Sequence, residues 1–432
     1  MLKKLLIILL ILISAYLILS FYFHFSNSNI PYYNKKPLTK LVDLSDMDKK
    51  NPNIVRMEKP IKMKRGILKE FPSLVYYRHF EIDLRSYDIS RIDLTQYEKE
   101  LGFAIFDTKT KWPELLPGAF NPDHIMELGK NPGLGIKSLH QRGITGKNVS
   151  IAIIEDSTLL TKHNEINENI VFYELLHSQA ASSFHGTFVA SVAAGKSLGV
   201  APDANIYFIA CTPGEIKISG GEVKEVNMDL DYYADAIKRI LEINDHLSAE
   251  EKIRVISISL GFDFSYNGAD KFHMAIEEAK SAGIFVITVS PEHNYSFNLR
   301  GLGRNLNGNP DDIYSYGMSL MWKDFIINND NYDFISGEDI LFIPIDSRTI
   351  ASSIGYDDYI WSSMGGNSHA PPWLAGLYAL CIQVYPELTP DMFVEVVMAT
   401  RETITIRIGI KDYILRGIIQ PEAVVNRLLE LY

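Results

Sequence analysis

Three segments of this chain carry side chains whose types and order suit nucleophilic acyl transfer. Ser368 precedes a stretch of small and apolar residues that holds Pro371 and Pro372 near its start and Ala375, Gly376 and Ala379 in its body. Proline fits a helix only where its missing N–H would have had no partner, so the helix begins at or just before the serine. A hydroxyl placed there lies among unpaired N–H groups at the positive end of the helix dipole, which favour developing negative charge. His185 is followed by Gly186, which permits close approach of another backbone, and by Ala190, Ala193, Ala194 and Gly195, which make a thin helix. An apolar run from Val149 ends abruptly in Glu155 and Asp156 and reads as a strand buried on both faces, with acids at its carboxyl edge. Taken alone, Ser368 is a cap on a buried helix. Taken together, an acid, an imidazole and a hydroxyl are the parts of an activated serine nucleophile.

These segments resemble the acid, histidine and serine signatures of the subtilisin-like serine peptidases. The resemblance is carried by His185-Gly-Thr-Phe-Val-Ala with its sequel Gly199-Val-Ala-Pro, by Ser368 with its helix, and by Val255-Ile-Ser-Ile-Ser-Leu-Gly261. It covers roughly residues 116–432. It implies Ser368 as nucleophile, His185 as general base and acid, and an acid that holds the imidazole tautomer. It also implies that Ser259, Leu260 and Gly261 line the substrate cleft. Glu155 and Asp156 compete for the acid's place. Counting forward along the strand favours Glu155, whereas counting back from His163-Asn-Glu-Ile favours Asp156, which also restores the family's Asp-Ser dipeptide. The expected triad is therefore Asp156, His185 and Ser368.

Two departures from the family pattern stand out. Thr158 occupies a position where glycine is usual, and the segment Ser290-Pro-Glu-His-Asn replaces the small Gly-Asn setting of the oxyanion asparagine. Asn294 is the expected donor, with Asn298 as fallback.

The scaffold reads as an α/β, doubly wound, mainly parallel sheet with helices on both faces. Strands are expected near 149–155, 205–211, 253–259, 283–289 and 339–345. Helices are expected over 129–140, 232–244 and 269–282, after Ser368, and after the cap Thr389-Pro390-Asp391. In such sheets ligands bind beyond the carboxyl ends of the strands. The polar residues from Asp346 to Thr349 suit a cleft wall or a plain turn.

Three regions are expected. Residues 1–25 form a transmembrane signal anchor, because Lys3 and Lys4 precede an uncharged run over 5–23, long enough to cross a bilayer. Residues 26–115 form a linker and accessory region, in which Asp83-Leu84, Asp88-Ile89 and Asp93-Leu94 recur every five residues and suggest a short solenoid-like coil. Residues 116–432 form the peptidase-like domain. The expected location is thus the cell membrane, with that domain outside the cytoplasm.

A net charge of −11 without a basic cluster argues against nucleic acid as a partner. Cys211 and Cys381 are too few for a disulfide framework and read as small buried hydrophobes. No metal or other cofactor is expected, since the Asn- and Asp-rich stretches 305–312 and 328–333 lack a spaced calcium-ligand pattern. Two functions remain open at this stage. One is a membrane-tethered serine endopeptidase acting on protein or peptide substrates. The other is a pseudo-protease that keeps the fold as a binding or scaffold module.

Overall fold

The run that begins at Val149 forms the strand Ser150–Glu155, every residue of which is buried, at the heart of a parallel sheet. In the computed structural model, which describes residues 37–47, 51–63, 65–72, 82–179, 184–219, 222–329 and 332–431, the strand order is Leu38–Lys40, Ile170–Ser178, Asn205–Ala210, Ser150–Glu155, Ile253–Ile258, Phe285–Ile287. The last five run parallel. Alternation along the central strand divides its side chains between two cores. Ile151 and Ile153 face one core with Phe188, Val189 and Val192 of the helix His185–Ala194 and with Leu374 and Leu377 of the helix Ala370–Val384. Ala152 and Ile154 face the other, with Ile237 and Ile240 of Asp231–His246 and Phe272 and Ile276 of Ala269–Ser281. Helices therefore cover both faces, and the α/β arrangement expected from the sequence is present.

Several elements differ from expectation. The strand Ile340–Pro344 lies outside the main sheet, in a second, five-stranded sheet with Asn298–Arg304, Tyr316–Met318 and the hairpin Glu402–Ile408 and Lys411–Ile418. The helix expected over 129–140 is split: Pro122–Gly129 ends before a turn in which Gly133, Leu134 and Gly135 all have positive φ, and Ile136–Gln141 follows. Nor do residues 37–63 form a free linker. Leu38–Lys40 pairs antiparallel and Asn53–Ile54 parallel with Ile170–Ser178, which closes the outer edge of the main sheet. An unpaired edge strand would otherwise invite aggregation.

The five-residue repeat has a physical meaning. Asp83, Asp88 and Asp93 each accept the backbone N–H two residues on, at Arg85, Ser90 and Thr95, and so close three successive turns. The residue after each aspartate, Leu84, Ile89 or Leu94, is fully buried in a third core with Phe106, Phe120 and Trp361. The strand Ala104–Asp107 pairs with Tyr359–Ser362, so this coil is joined to the main body across residue 115. The expected membrane anchor lies outside the described residues. Among the described residues no helix is long and apolar enough to cross a membrane.

Candidate functional site

Glu155 ends the central strand, and by the alternation of Ile151 and Ile153 its side chain belongs to the face covered by the helix His185–Ala194. Gly186 explains how closely that helix approaches. A Cβ on Gly186 would lie 2.6 Å from the carbonyl oxygen of Thr158 and 2.9 Å from Oγ of Ser157, so only glycine lets the first helical turn abut the chain just past the acids. As a result His185 Nδ1 lies 2.9 Å from Glu155 Oε1. Asp156 joins the same cluster: ligand atoms of Glu155, Asp156 and His185 all lie within 4.8 Å of one another, a grouping that could also hold a metal ion. The backbone N–H of Asp156 donates to Glu155 Oε1 at 2.8 Å.

Burial dominates the electrostatics. It raises the Glu155 carboxyl to about 7, against the lowering effect of the hydrogen bonds from Asp156. Burial also lowers the His185 imidazole, and the charge of Asp156 only partly offsets this. A lowered imidazole is neutral near pH 7, the form a general base requires.

Ser368 lies in a single tight turn, Asn367–His369, that leads into Ala370–Val384, with Pro371 and Pro372 in the first turn of that helix. Gly366, with φ of +69°, redirects the chain into this turn. The next residue, His369, packs against Phe188 with ring centroids 4.2 Å apart and planes tilted by 44°, and Phe188 meets His185 edge-on at 5.1 Å. Further along, a Cβ on Gly376 would come within 2.6 Å of Val200 Cβ and 3.0 Å of the Ala193 carbonyl, so the small residues of both helices serve their contact. The serine turn and the histidine helix are thereby brought together.

The expected cleft residues join the same place. Ser259 Oγ donates to the carbonyl of Ser368 at 2.9 Å. Leu260 accepts from the Val289 N–H at 3.1 Å, and a Cβ on Gly261 would lie 3.1 Å from Ser290 Oγ, so 259–261 and 289–290 run side by side.

Asn294, the expected oxyanion donor, has its side-chain amide engaged on a neighbouring helix. Its amide nitrogen contacts His273 Nδ1 at 2.9 Å and Glu277 Oε1 at 3.0 Å, both on the helix Ala269–Ser281. The fallback Asn298 donates to Asp339 at 2.6 Å. The short helical turn Pro291–His293 between strand and amide places Asn294 beside that helix. Cys211 and Cys381 are both buried free thiols whose ionisation burial opposes, as small hydrophobes would be.

The polar stretch from Asp346 to Thr349 supplies one residue near the nucleophile turn. Asp346 is buried and holds Gly365, two residues upstream of Asn367, through its carboxylate.

Comparison with known proteins agrees with this architecture. Residues 146–294 match the model of the subtilase family, Peptidase_S8. The chain is 24% identical over 318 residues to the serine protease AprX of Bacillus subtilis, covering 64% of each chain. It is 22% identical over 308 residues to the minor extracellular protease Epr of the same organism, covering 69% of this chain and 41% of Epr. With subtilisin E of that organism the identity is 24% over 282 residues, covering 62% of this chain and 65% of the relative. The chain thus spans from 41% to 65% of the length of these relatives. The solved structure of the prenylagaramide maturation protease PagA aligns with a TM-score of 0.46 at 15% identity, covering 68% of this chain and 98% of that one. The subtilase match thus spans the acid strand, the histidine helix and the cleft strand, and the curated relatives of this chain are subtilisin-like serine proteases.

Proposed function

We propose that this chain is a serine endopeptidase that hydrolyses peptide bonds through an acyl-enzyme, with Ser368 as nucleophile, His185 as general base and acid, and Glu155 as the acid of the triad. The observation that carries this reading is the 2.9 Å contact between His185 Nδ1 and Glu155 Oε1, at the carboxyl end of the central strand and on the side where the Ser368 turn docks. Strand alternation supports Glu155 over Asp156, since the even-numbered Ala152 and Ile154 face the opposite core.

In this mechanism His185 takes the proton of Ser368 Oγ as the hydroxyl attacks the scissile carbonyl. The imidazolium so formed is stabilised by the Glu155 carboxylate at Nδ1, and its proton passes to the leaving amine. Water, activated by the same imidazole, then releases the acyl group. Negative charge on the carbonyl oxygen is met by backbone N–H groups at the start of the serine helix, Ser368 among them. The substrate lies extended along 259–261 as an added strand.

We further propose that residues 5–23 anchor the chain in a membrane with the peptidase region outside the cytoplasm, a reading supported by Lys3, Lys4 and the uncharged run that follows. Cleavage of an internally quenched peptide library by the full chain, compared with Ser368→Ala, tests the activity. Turnover abolished by the substitution is expected; turnover that survives it refutes the assignment. Retention of the full chain in membranes after alkaline washing, lost when residues 1–25 are deleted, tests the anchor.

A further inference from the structure

We infer that Asp346 is the positioning residue of the nucleophile turn: its buried carboxylate ties Gly365 to the start of the helix Leu320–Asn329 and so fixes where Ser368 stands. This deepens the hydrolase reading and rests on it. Asp346 lies between the strands Ile340–Pro344 and Arg348–Ala351, where the chain turns through Ser347 with φ of +55°. Its Oδ1 accepts from the Gly365 N–H at 3.0 Å and from Ser319 Oγ at 3.1 Å, and its Oδ2 accepts from the Leu320 N–H at 2.7 Å. Leu320 opens its helix, so one carboxylate both caps that helix and grips the chain three residues before Ser368.

Two further contacts join the same partners. Trp322 Nε1 approaches Asn367 Oδ1 at 3.4 Å, and a Cβ on Gly366 would meet Met321 Cε at 3.5 Å. Gly365 itself has no room to shift toward the strand, since a Cβ there would lie 1.7 Å from the carbonyl oxygen of Ile345. From the opposite side Ser259 Oγ holds the Ser368 carbonyl. The turn is thus pinned at Gly365, Asn367 and Ser368, and Asp346 is the sole ionisable side chain among these hydrogen-bond partners.

A carboxylate can satisfy all three donors, because it offers only acceptors. In Asp346→Asn the amide nitrogen must face either the Gly365 N–H or the Leu320 N–H, and either orientation breaks the tie between the turn and the helix. Displacing a reacting group by about 1 Å costs about a hundredfold in rate. We expect Asp346→Asn to lower kcat tenfold to a hundredfold while KM changes less than threefold, because the cleft residues 259–261 are untouched. Ser319→Ala removes one hydrogen bond without adding a donor and should lower kcat about twofold to fivefold in the same sense. Hydrogen exchange at the Gly365 amide reads the clamp independently of catalysis and should quicken in the folded Asp346→Asn protein. Faster exchange in Asp346→Asn than in a wild type that itself hydrolyses nothing would sink the hydrolase reading and leave the clamp standing. Unchanged kcat in Ser319→Ala and in any folded Asp346→Asn, or a loss confined to KM, would overturn the positioning role.

Discussion

Glu155→Gln distinguishes the two acids that the sequence left in competition. The carboxylate oxygen and Nδ1 of His185 are 2.9 Å apart, and both groups are buried or nearly so. At an effective dielectric constant of about 20, a full charge pair at this distance is worth about 6 kcal/mol. If all of it is expressed in the transition state, where the imidazole becomes charged, its loss corresponds to about four orders of magnitude in kcat. The glutamine is nearly isosteric, so either its amide oxygen faces Nδ1 without the charge, or its nitrogen faces Nδ1 and enforces the wrong tautomer. Stability should move the other way. Burial penalises the ionised form of Glu155, so a neutral side chain should raise the Tm at pH 8 and leave it nearly unchanged at pH 5. Steady-state hydrolysis and calorimetry on Glu155→Gln and Asp156→Asn provide the assay. A loss of about 10⁴ in Asp156→Asn with less than tenfold in Glu155→Gln would refute the strand-alternation argument and restore Asp156 as the acid.

Further tests follow from the same geometry. Glu155 and Asp346 are each raised by burial to about 7, from model-peptide values of 4.5 and 3.8, so the folded state binds more protons than the unfolded state between those limits. Stability that is fully present below the unfolded values is therefore lost as the pH rises through about 7, on the order of 3 kcal/mol per group. Hydrolysis should rise over the same window as Glu155 ionises, so urea titrations paired with a rate profile from pH 4 to 9 should show opposed trends, and parallel ones would refute the reasoning. Gly186→Ala forces a Cβ to within 2.6 Å of the Thr158 carbonyl and should destabilise by about 2 kcal/mol, with hydrolysis falling at least tenfold; a protein of unchanged Tm would count against the close approach. Asn294→Ala should lower kcat less than threefold, because the amide serves His273 and Glu277; a hundredfold loss, the size seen when an oxyanion donor is removed from subtilisin, would show that it turns into the site during catalysis.

The elements that carry the site were legible because their local patterns are strong. The strands Ser150–Glu155, Asn205–Ala210 and Ile253–Ile258 are nearly unbroken apolar runs, and Thr389 accepts from the Met392 N–H as a helix cap should. Ile170–Ser178 was missed because Glu174 interrupts its pattern. That glutamate is fully buried and paired with Arg239 at 3.0 Å, a contact 65 residues away that no local pattern reveals. The hairpin Glu402–Ile408 and Lys411–Ile418 did carry a signal, in the alternation of Ile404, Ile406 and Ile408 and in Gly409 with its positive φ. The five-residue aspartate period was visible, while its cause, a side-chain bond two residues on, was not. Sequence spacing favours Asp156 because it counts residues through a loop, whereas the proposal of Glu155 rests on the parity of a strand. Where Asn294 points could not be read at all, since His273 and Glu277 reach it from a helix earlier in the chain.

The central claim is that Ser368 is an activated nucleophile. Incubation of the full chain with a fluorophosphonate, followed by digestion and mass mapping, reads this without knowledge of the natural substrate. The account predicts a single adduct on Ser368, lost in His185→Ala and slowed in Glu155→Gln. An unmodified Ser368 in folded protein, or labelling at Ser368 that is indifferent to His185, would contradict it.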